Sequence, residues 1–204
     1  YWRHMQAYYH NQLHRDLHRE TSRDGLILDV RGNGGGHTSQ LVVEKLARRV
    51  IGWSTVRHRH PSTYPRDAPR GPVVALADEL AGSDGDIVTA AIKRLGIGPV
   101  VGVRTWGGVI GIDNRYELVD GTGVTQPRYA SWFDDSDWGV ENYGVDPDVE
   151  VVMRPQDWVA GTDPQLERAV EIAMAELERT PAARPPDPAT RPSRVRPDLP
   201  PRPS

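Results

Sequence analysis

The segment that decides the fold is residues 72–86, which reads PVVALADELAGSDGD. Residues 72–77 are apolar and end at Asp78, a pattern that predicts a short buried strand. Small and acidic residues follow, and the spacing of apolar residues from about Asp86 predicts a helix that Gly96 ends. We call residues 81–86 the serine turn, because Ser83 lies between the predicted strand and the predicted helix.

Ser83 has two interpretations from the residues alone. At the amino terminus of a helix, unpaired amides and the helix dipole favour negative charge, which suits a nucleophile whose reaction develops an oxyanion. A serine in the same place is also an ordinary amino-terminal cap. The Gly-x-Ser-x-Gly elbow of the α/β hydrolases does not fit, because residue 81 is alanine. Both interpretations stay open at this point.

A second strand–loop–helix unit precedes the first. Residues 25–30 predict a buried strand, and residues 31–36, RGNGGG, follow as a glycine loop. A helix is then predicted over residues 41–49, with Thr38 or Ser39 as its cap. The Walker pattern fails because no Gly-Lys-Ser/Thr closes the loop, and the dinucleotide fingerprint fails on spacing. An anion-binding nest of backbone amides and a plain tight turn remain as interpretations of the loop.

The rest of the chain extends this alternation of strands and helices. Strands are predicted at residues 100–104, 115–119 and 149–153, with surface loops at 54–71 and 126–139. Asp163-Pro164 opens a last helix, whose apolar stripe consists of Leu166, Val170, Ala173, Met174 and Leu177. The predicted fold class is α/β, with a mainly parallel sheet flanked by helices. Because ligands bind beyond the carboxyl ends of parallel strands, the glycine loop and the serine turn are expected to form one site.

The net charge, the cysteine content and the length of the apolar runs exclude several classes of protein. The 204 residues carry a formal net charge of −3, without the basic surplus typical of nucleic-acid binding. The chain has no cysteine, which excludes disulfides and thiolate metal sites and is compatible with a cytoplasmic location. No apolar run approaches the ~20 residues that span a bilayer. We therefore predict no nucleic-acid or membrane partner, and neither a metal nor a cofactor.

The two ends of the chain differ in character. Residues 1–24 repeat apolar residues at helical spacing, which predicts a first helix. From residue 181 the chain is rich in Pro, Arg and Asp and lacks apolar groups to bury, which predicts disorder over 181–204. The expected organisation is one core domain, residues 1–180, followed by a tail.

Four motifs, in order along the chain, resemble tricorn-type serine peptidases and the related carboxyl-terminal processing peptidases. The first motif, residues 28–36, contains the glycine loop, and the second, residues 81–86, is the serine turn. The third is a strand and loop at residues 102–111, GVRTWGGVIG, and the fourth is a late acidic motif at residues 138–148, WGVENYGVDPD. The resemblance that these motifs mark covers residues 25 to about 178, and a chance match of all four is improbable.

The resemblance implies a crotonase/ClpP-like α/β core and a role for each matching residue. Ser83 would attack the peptide carbonyl, and the backbone amides of Gly36 and Asp84 would form the oxyanion hole. Glu141 would complete a proton-relay network. The family's substrates are peptides, and its members assemble as homo-oligomers, a hexamer in tricorn. Without the resemblance, Glu141 reads as a surface carboxylate beside a turn.

The base that such a serine needs is not evident in the sequence. None of the seven histidines sits in a motif like that of the family's catalytic histidine, which belongs to a segment upstream of a PDZ domain. His4, His10, His14 and His18 recur at near-helical spacing and are more typical of a solvated helix face than of a metal site. We therefore expect that the chain is a partial one, inactive by itself.

Residues that contact the substrate are less well defined. We predict Ser54, Trp106 and Gly107 as candidates, although the tryptophan equally fits packing against glycine loops. Tricorn has an aspartate after its Ile-Gly-aromatic segment and favours basic residues before the cut. Here Ile51-Gly52-Trp53 is followed by Ser54 and a basic stretch. A weaker preference for basic side chains is expected.

Two other functions fit part of the pattern. A non-catalytic relative would retain the fold as a peptide-binding or assembly module. Crotonase-type acyl-thioester chemistry would use the same oxyanion geometry, but it has no use for an exposed serine, and no adenine-nucleotide site is evident.

Overall fold

The computed structural model describes residues 12, 15–56 and 58–190, except for the side chains of residues 113–115. In chain order the strands are β1 Leu26–Asp29, β2 Gly52–Ser54, β3 Ser62–Tyr64, β4 Val73–Ala77, β5 Val100–Gly102, β6 Gly111–Glu117, β7 Gly123–Tyr129 and β8 Val149–Glu150. The helices are α1 Ser39–Leu46, α2 Asp84–Arg94, α3 Pro155–Ala160 and α4 Pro164–Arg179, followed by a 3-10 turn, Pro188–Thr190. Within these described ranges, no helix has the length and apolar character needed to cross a bilayer.

The central sheet is parallel and has the strand order β1-β4-β5-β8. Each of its strands was predicted from a short apolar run, and the α/β fold class is confirmed. Strands β1 and β4 are direct neighbours, with Asp29 opposite Leu76 in the register. The carboxyl ends of these two strands therefore lie side by side, which brings the glycine loop next to the serine turn.

The core lies on both faces of the sheet, and all five residues of β4 are buried. Val73, Ala75 and Ala77 face one way, into a cluster that includes residues of α1 and α2. Val74 and Leu76 face the other way, toward α4. This alternation is expected of a strand whose neighbouring side chains point to opposite faces. The layers hold α2, and with it the serine turn, against the sheet.

The apolar stripe predicted for α4 is only partly correct: of its members, Ala173 is buried and Leu177 is half-buried. The buried residues of this helix are Gln165, Ala169 and Ala173. Side chains one helical position away remain exposed, at 39% for Leu166, 44% for Val170 and 54% for Met174. The small alanines allow the helix to approach the sheet closely, so the face they occupy is the one that packs.

Two regions predicted as surface loops contain antiparallel hairpins. Within residues 54–71, β3 pairs with β2, and within residues 126–139, the second half of β7 pairs with β6. The sequence signal was weak because β2 and β3 have three residues each, and β7 contains a proline. The short helix α3 was also not predicted.

The ends of the chain bear on two further predictions. Residues 15–20 are helical, while residues 1–11, 13 and 14 of the predicted first helix lie outside the described residues. Residues 181–190, predicted to be disordered, make specific contacts, and Ala182 is buried. The Ala183 amide donates to the Arg70 carbonyl at 2.8 Å, and the Arg70 guanidinium Nε donates to the Ala183 carbonyl at 2.8 Å. Because of these contacts, the predicted start of the disorder at residue 181 is too early. Residues 191–204 lie outside the described residues.

Candidate active site

Ser83 occupies the N-cap position of α2 in a strained backbone conformation, with φ 54° and ψ −112°. Non-glycine residues rarely adopt this region, which costs about 1–3 kcal/mol and persists only where the surroundings impose it. The Ser83 side chain makes no capping hydrogen bond. The interpretation of Ser83 as an ordinary side-chain cap is therefore wrong, and its hydroxyl is left for another use.

The serine turn is fixed by the glycine loop. The carbonyl oxygen of Asn33 accepts a hydrogen bond from the Gly82 amide at 2.9 Å. The same oxygen is 2.5 Å from where a Cβ atom of Gly85 would lie, so a side chain there would collide with the loop. At the start of the loop, the Gly32 amide donates to the Asp78 carboxylate at 2.9 Å. These contacts hold the two segments in one arrangement.

Gly35 and Gly36 place the loop backbone beside the serine. A Cβ atom on Gly35 would lie 2.8 Å from Ser83 Cβ and 3.1 Å from its Oγ. The Gly35 amide donates a hydrogen bond to the side-chain oxygen of Asn33 at 3.1 Å. In contrast, the amides of Gly36 and Asp84 have no protein acceptor among the residues that the structure describes. The Gly36 amide is two bonds from Gly35 Cα, and Asp84 directly follows Ser83 in the chain, so both free donors belong to the two segments that meet at the serine.

The side chain of Asp84 joins the serine turn to the helix that follows the glycine loop. This carboxylate is 5% exposed and accepts from the amides of Thr38 at 2.6 Å and Ser39 at 2.8 Å. It also accepts from both hydroxyl groups of these residues. We expected Thr38 or Ser39 to cap α1; instead Thr38 holds the N-cap position without a side-chain cap bond, and Asp84 supplies it.

Arg31 ties the glycine loop to the opposite side of the sheet. Its guanidinium forms ion pairs with Asp29 at 2.7 Å and Asp163 at 2.9 Å and donates to Gln165. These contacts raise the pKa of Arg31 above its usual value. The hydrogen bond from Arg31 also lowers the pKa of the Asp163 carboxyl, which caps α4 through the Leu166 amide. The loop is thus anchored at its first residue as well.

A third segment, the tryptophan loop (residues 105–110), is held by two carboxylates. Asp86, fully buried in the first turn of α2, accepts from the amides of Gly107 at 2.8 Å and Gly108 at 3.1 Å. Glu141 Oε2 accepts from the next two amides, those of Val109 at 2.6 Å and Ile110 at 2.8 Å. Among the described side chains, the other oxygen of Glu141, Oε1, has no hydrogen-bond partner. It remains available to an additional donor.

Trp106 stands directly beside the serine turn. Its amide donates to the Ala81 carbonyl at 3.0 Å. Its ring packs where a side chain at Gly82 or at Gly108 would lie, within 2.5 Å of either ideal Cβ position. Even so, 67% of the tryptophan is exposed. The ring therefore packs beside the serine turn, as predicted for packing against glycine loops, and one face of it stays exposed.

Ser54 is not connected to the other candidates by any described hydrogen bond. It is exposed at the end of β2, where it pairs with Ser62 of β3. Its predicted role in substrate contact has no support from this geometry and stays a prediction.

No described histidine is hydrogen-bonded to Ser83. His18 Nδ1 lies 2.7 Å from Asp67 Oδ1, while His37, His58 and His60 are exposed. His4, His10 and His14 lie outside the described residues. Over the described part of the chain, no group of three His, Cys, Asp or Glu side chains is arranged to hold a metal ion.

The side chains of Asp84 and Asp86 hold neighbouring loops through hydrogen bonds that the sequence did not reveal. We expected these carboxylates only to complement the dipole of α2. The structure instead shows that Asp84 accepts from the Thr38 amide after the glycine loop, whereas Asp86 accepts from the Gly107 amide of the tryptophan loop. The first turn of α2 therefore binds both of the segments that lie beside the serine turn. The sequence did contain a signal. Two acidic residues flank Gly85 in a segment of small residues, and such a segment is an unusual place for solvated carboxylates.

Comparisons with known proteins agree with this geometry. The sequence profile of peptidase family S41 matches residues 4–151. Tricorn protease homolog 1 of Streptomyces coelicolor is 68% identical over 89% of this chain, and the tricorn protease of Thermoplasma acidophilum is 49% identical over 82%. The chain spans only 17% and 16% of the lengths of these two relatives.

Solved structures give the same result. The crystal structure of the tricorn protease superposes with a TM-score of 0.79 at 49% identity, over 82% of this chain and 16% of that one. A peptidase structure from Parabacteroides merdae, with a TM-score of 0.56 at 24% identity over 77% of this chain and 54% of that one, shares the fold.

Proposed function

Because this chain belongs to peptidase family S41, we propose that it carries the nucleophile and the oxyanion-binding amides of a serine peptidase that hydrolyses peptides. One observation carries the proposal: the strained Ser83, free of any capping bond, lies where the glycine loop meets the serine turn, and the Gly36 and Asp84 amides have no acceptor among the described residues. Backbone strain of this kind is concentrated at functional sites. Such an arrangement has no evident structural purpose.

The proposed chemistry follows from the positions of these groups. Ser83 Oγ attacks the carbonyl carbon of a peptide bond as a base removes the hydroxyl proton. The carbonyl oxygen becomes an oxyanion, which the amides of Gly36 and Asp84 bind. Collapse of this intermediate expels the amine with a proton and leaves an acyl-enzyme, which water then hydrolyses. Removing one such donor typically costs about 10²–10³-fold in rate.

Glu141 is proposed to act through its unoccupied oxygen. The amides of Val109 and Ile110 fix Oε2 and thereby the direction of the carboxylate. Oε1 is then available to accept from a group that orients the base, as the carboxylate of a triad does. We propose that the base itself is supplied from outside the described residues.

The substrate contacts are proposed on weaker grounds. The open face of Trp106 and the backbone of Gly107 border the serine turn and suit an extended peptide. The cytoplasmic location and the homo-oligomeric assembly expected from the sequence stay predictions.

The test is active-site labelling of protein produced from the complete gene. A fluorophosphonate probe should form a P–O bond with Ser83 Oγ and release fluoride. The Ser83→Ala variant should lose labelling and peptide hydrolysis together, while Ser22→Ala, at an exposed serine whose hydroxyl donates to Arg19, should retain both. Undiminished labelling of Ser83→Ala would refute the proposal.

The alternative of a non-catalytic peptide-binding module makes a different prediction. In that case wild type and Ser83→Ala would bind peptides equally and neither would react with the probe. The strained serine favours the enzyme, because peptide binding alone gives no reason to maintain that conformation.

A further inference from the structure

Asp84 takes part in the candidate site through two different groups. Its main-chain amide is one of the two proposed oxyanion donors. Its side chain, 5% exposed, accepts from two amides and two hydroxyls at the start of α1. The first of these donors, Thr38, comes two residues after Gly36, which carries the second proposed oxyanion donor. One residue thus carries one proposed donor and binds the segment that directly follows the other.

The backbone between Gly34 and His37 has few other restraints. On one side it is fixed at Asn33, whose carbonyl binds the Gly82 amide and whose side chain binds the Gly35 amide. On the other side it is fixed at Thr38 by Asp84. No atom lies within 4 Å of the ideal Cβ position of Gly36, and His37 is exposed. The position of the Gly36 amide therefore depends on these two anchors.

We propose that the carboxylate of Asp84 is a positioning residue that sets the separation between the Gly36 amide and its own amide. The inference rests on the proposed function of the site. Because the side chain and the amide belong to one residue, a displacement of the loop relative to the serine turn breaks the carboxylate contacts. The pocket keeps its geometry only while those contacts hold.

A carboxylate fits this task better than a neutral side chain. It offers only acceptors, in two oxygens that match four converging donors. Its negative charge lies at the amino termini of both α1 and α2, where helix dipoles favour it. The four donors offset much of that charge, which limits its repulsion of the oxyanion that would form beside it. Asparagine retains one acceptor but presents an NH2 group toward the remaining donors.

The experiment compares Asp84→Asn and Ser39→Ala with wild type in protein produced from the complete gene. Asp157→Asn is the matched control, because Asp157 accepts the Arg154 amide at the start of α3 and contacts neither loop. For each, kcat and KM for a peptide substrate are measured, with kcat divided by the fraction of sites that the fluorophosphonate probe titrates. We expect kcat per titrated site to fall about 30-fold for Asp84→Asn and about threefold for Ser39→Ala, with KM within about twofold.

Three outcomes separate the possibilities. A purely structural role of Asp84 would lower the titrated fraction or the Tm but leave kcat per titrated site unchanged, which would overturn the inference. If Asp84→Asn does not fold, an unchanged kcat in Ser39→Ala overturns it instead, and a reduced one supports it. If Ser83→Ala hydrolyses the peptide like wild type, the proposed function itself fails and the inference falls with it.

Discussion

Gly35 lies directly against Ser83: a Cβ atom added to Gly35 would be 2.8 Å from the Cβ and 3.1 Å from the Oγ of the serine. Gly35 also has φ 120°, a conformation that residues with side chains rarely adopt. Ser83, the other residue of this contact, has a strained backbone with φ 54°. The closeness of these two backbones depends on the absence of a side chain at residue 35.

Gly35→Ala is therefore expected to disrupt the candidate site. The methyl group displaces either the serine or the amide of Gly36, and a misplacement of about 1 Å costs about 100-fold in rate. The measurement is the rate of fluorophosphonate labelling of protein produced from the complete gene. Gly34→Ala is the matched control, because nothing lies within 4 Å of its added Cβ. Equal labelling rates for the two variants would contradict the geometry.

Asp86→Ala is expected to destabilise the fold. The substitution leaves the amides of Gly107 and Gly108 without their acceptor in a buried place, a loss of about 3 kcal/mol. Urea unfolding of the 204-residue chain measures it. Asp135→Ala, at a half-exposed carboxylate, should change the free energy of unfolding by less than about 0.5 kcal/mol. A loss below about 1 kcal/mol for Asp86→Ala would show that the two hydrogen bonds contribute little.

Trp106→Ala is expected to weaken substrate binding more than it slows the reaction. The exposed face of the ring lies beside the serine turn, and removal of the ring should raise KM about tenfold, equal to roughly 1.4 kcal/mol, with a smaller change in kcat. Trp158→Ala serves as the control, because Trp158 is 75% exposed on α3. An unchanged KM for Trp106→Ala would leave the ring as packing for Gly82 and Gly108 alone.

The ion pair between Arg31 and Asp163 should contribute to stability in a pH-dependent way. Hydrogen bonding from Arg31 lowers the pKa of Asp163, so its contribution is present above the unfolded-state value of about 3.9 and is lost as the pH falls through the folded-state pKa. Asp163→Asn keeps a good helix cap but removes the charge. The variant should lose about 1 kcal/mol at about pH 6.5 and distinctly less at about pH 3.

Unfolding of wild type and Asp163→Asn by urea at both pH values gives this comparison. A difference that stays constant across the two pH values would mean that the carboxylate acts only as a cap.

Substrate preference tests the prediction made for Ser54. Trp53 is followed by Ser54 and then by a basic stretch, from which a weaker preference for basic side chains was predicted. Protein produced from the complete gene should therefore show at most a weak preference for a lysine reporter peptide over a leucine one. A strong preference for lysine, measured as kcat/KM, would refute this expectation.

Much of the fold could be predicted because its signals are local. The uninterrupted apolar run before Asp78 predicted the buried β4, and Asp163-Pro164 predicted the start of α4; both were confirmed. The meeting of the glycine loop with the serine turn followed from the rule that parallel strands share an edge. These inferences need only a few neighbouring residues and the direction of the chain.

The details of the site depend on residues that are far apart in the sequence. Asp84 caps a helix 45 residues earlier, and Glu141 binds amides about 30 residues before it, so neither partner is visible locally. The backbone angle of Ser83 is imposed by Asn33 and Gly35 rather than by its own preferences. On α4, Ala169 and Ala173 are buried against the sheet with Ile172 packed beside them, while Leu166, Val170 and Met174 stay exposed, because close approach of the helix favours small side chains.

The most direct test of the whole account is a crystal structure of the phosphonylated protein, produced from its complete gene. We predict a covalent bond between phosphorus and Ser83 Oγ, with the phosphonyl oxygen about 2.7–3.1 Å from the amide nitrogens of both Gly36 and Asp84. A phosphonyl oxygen that points away from these two amides, or a probe attached to another residue, would contradict it.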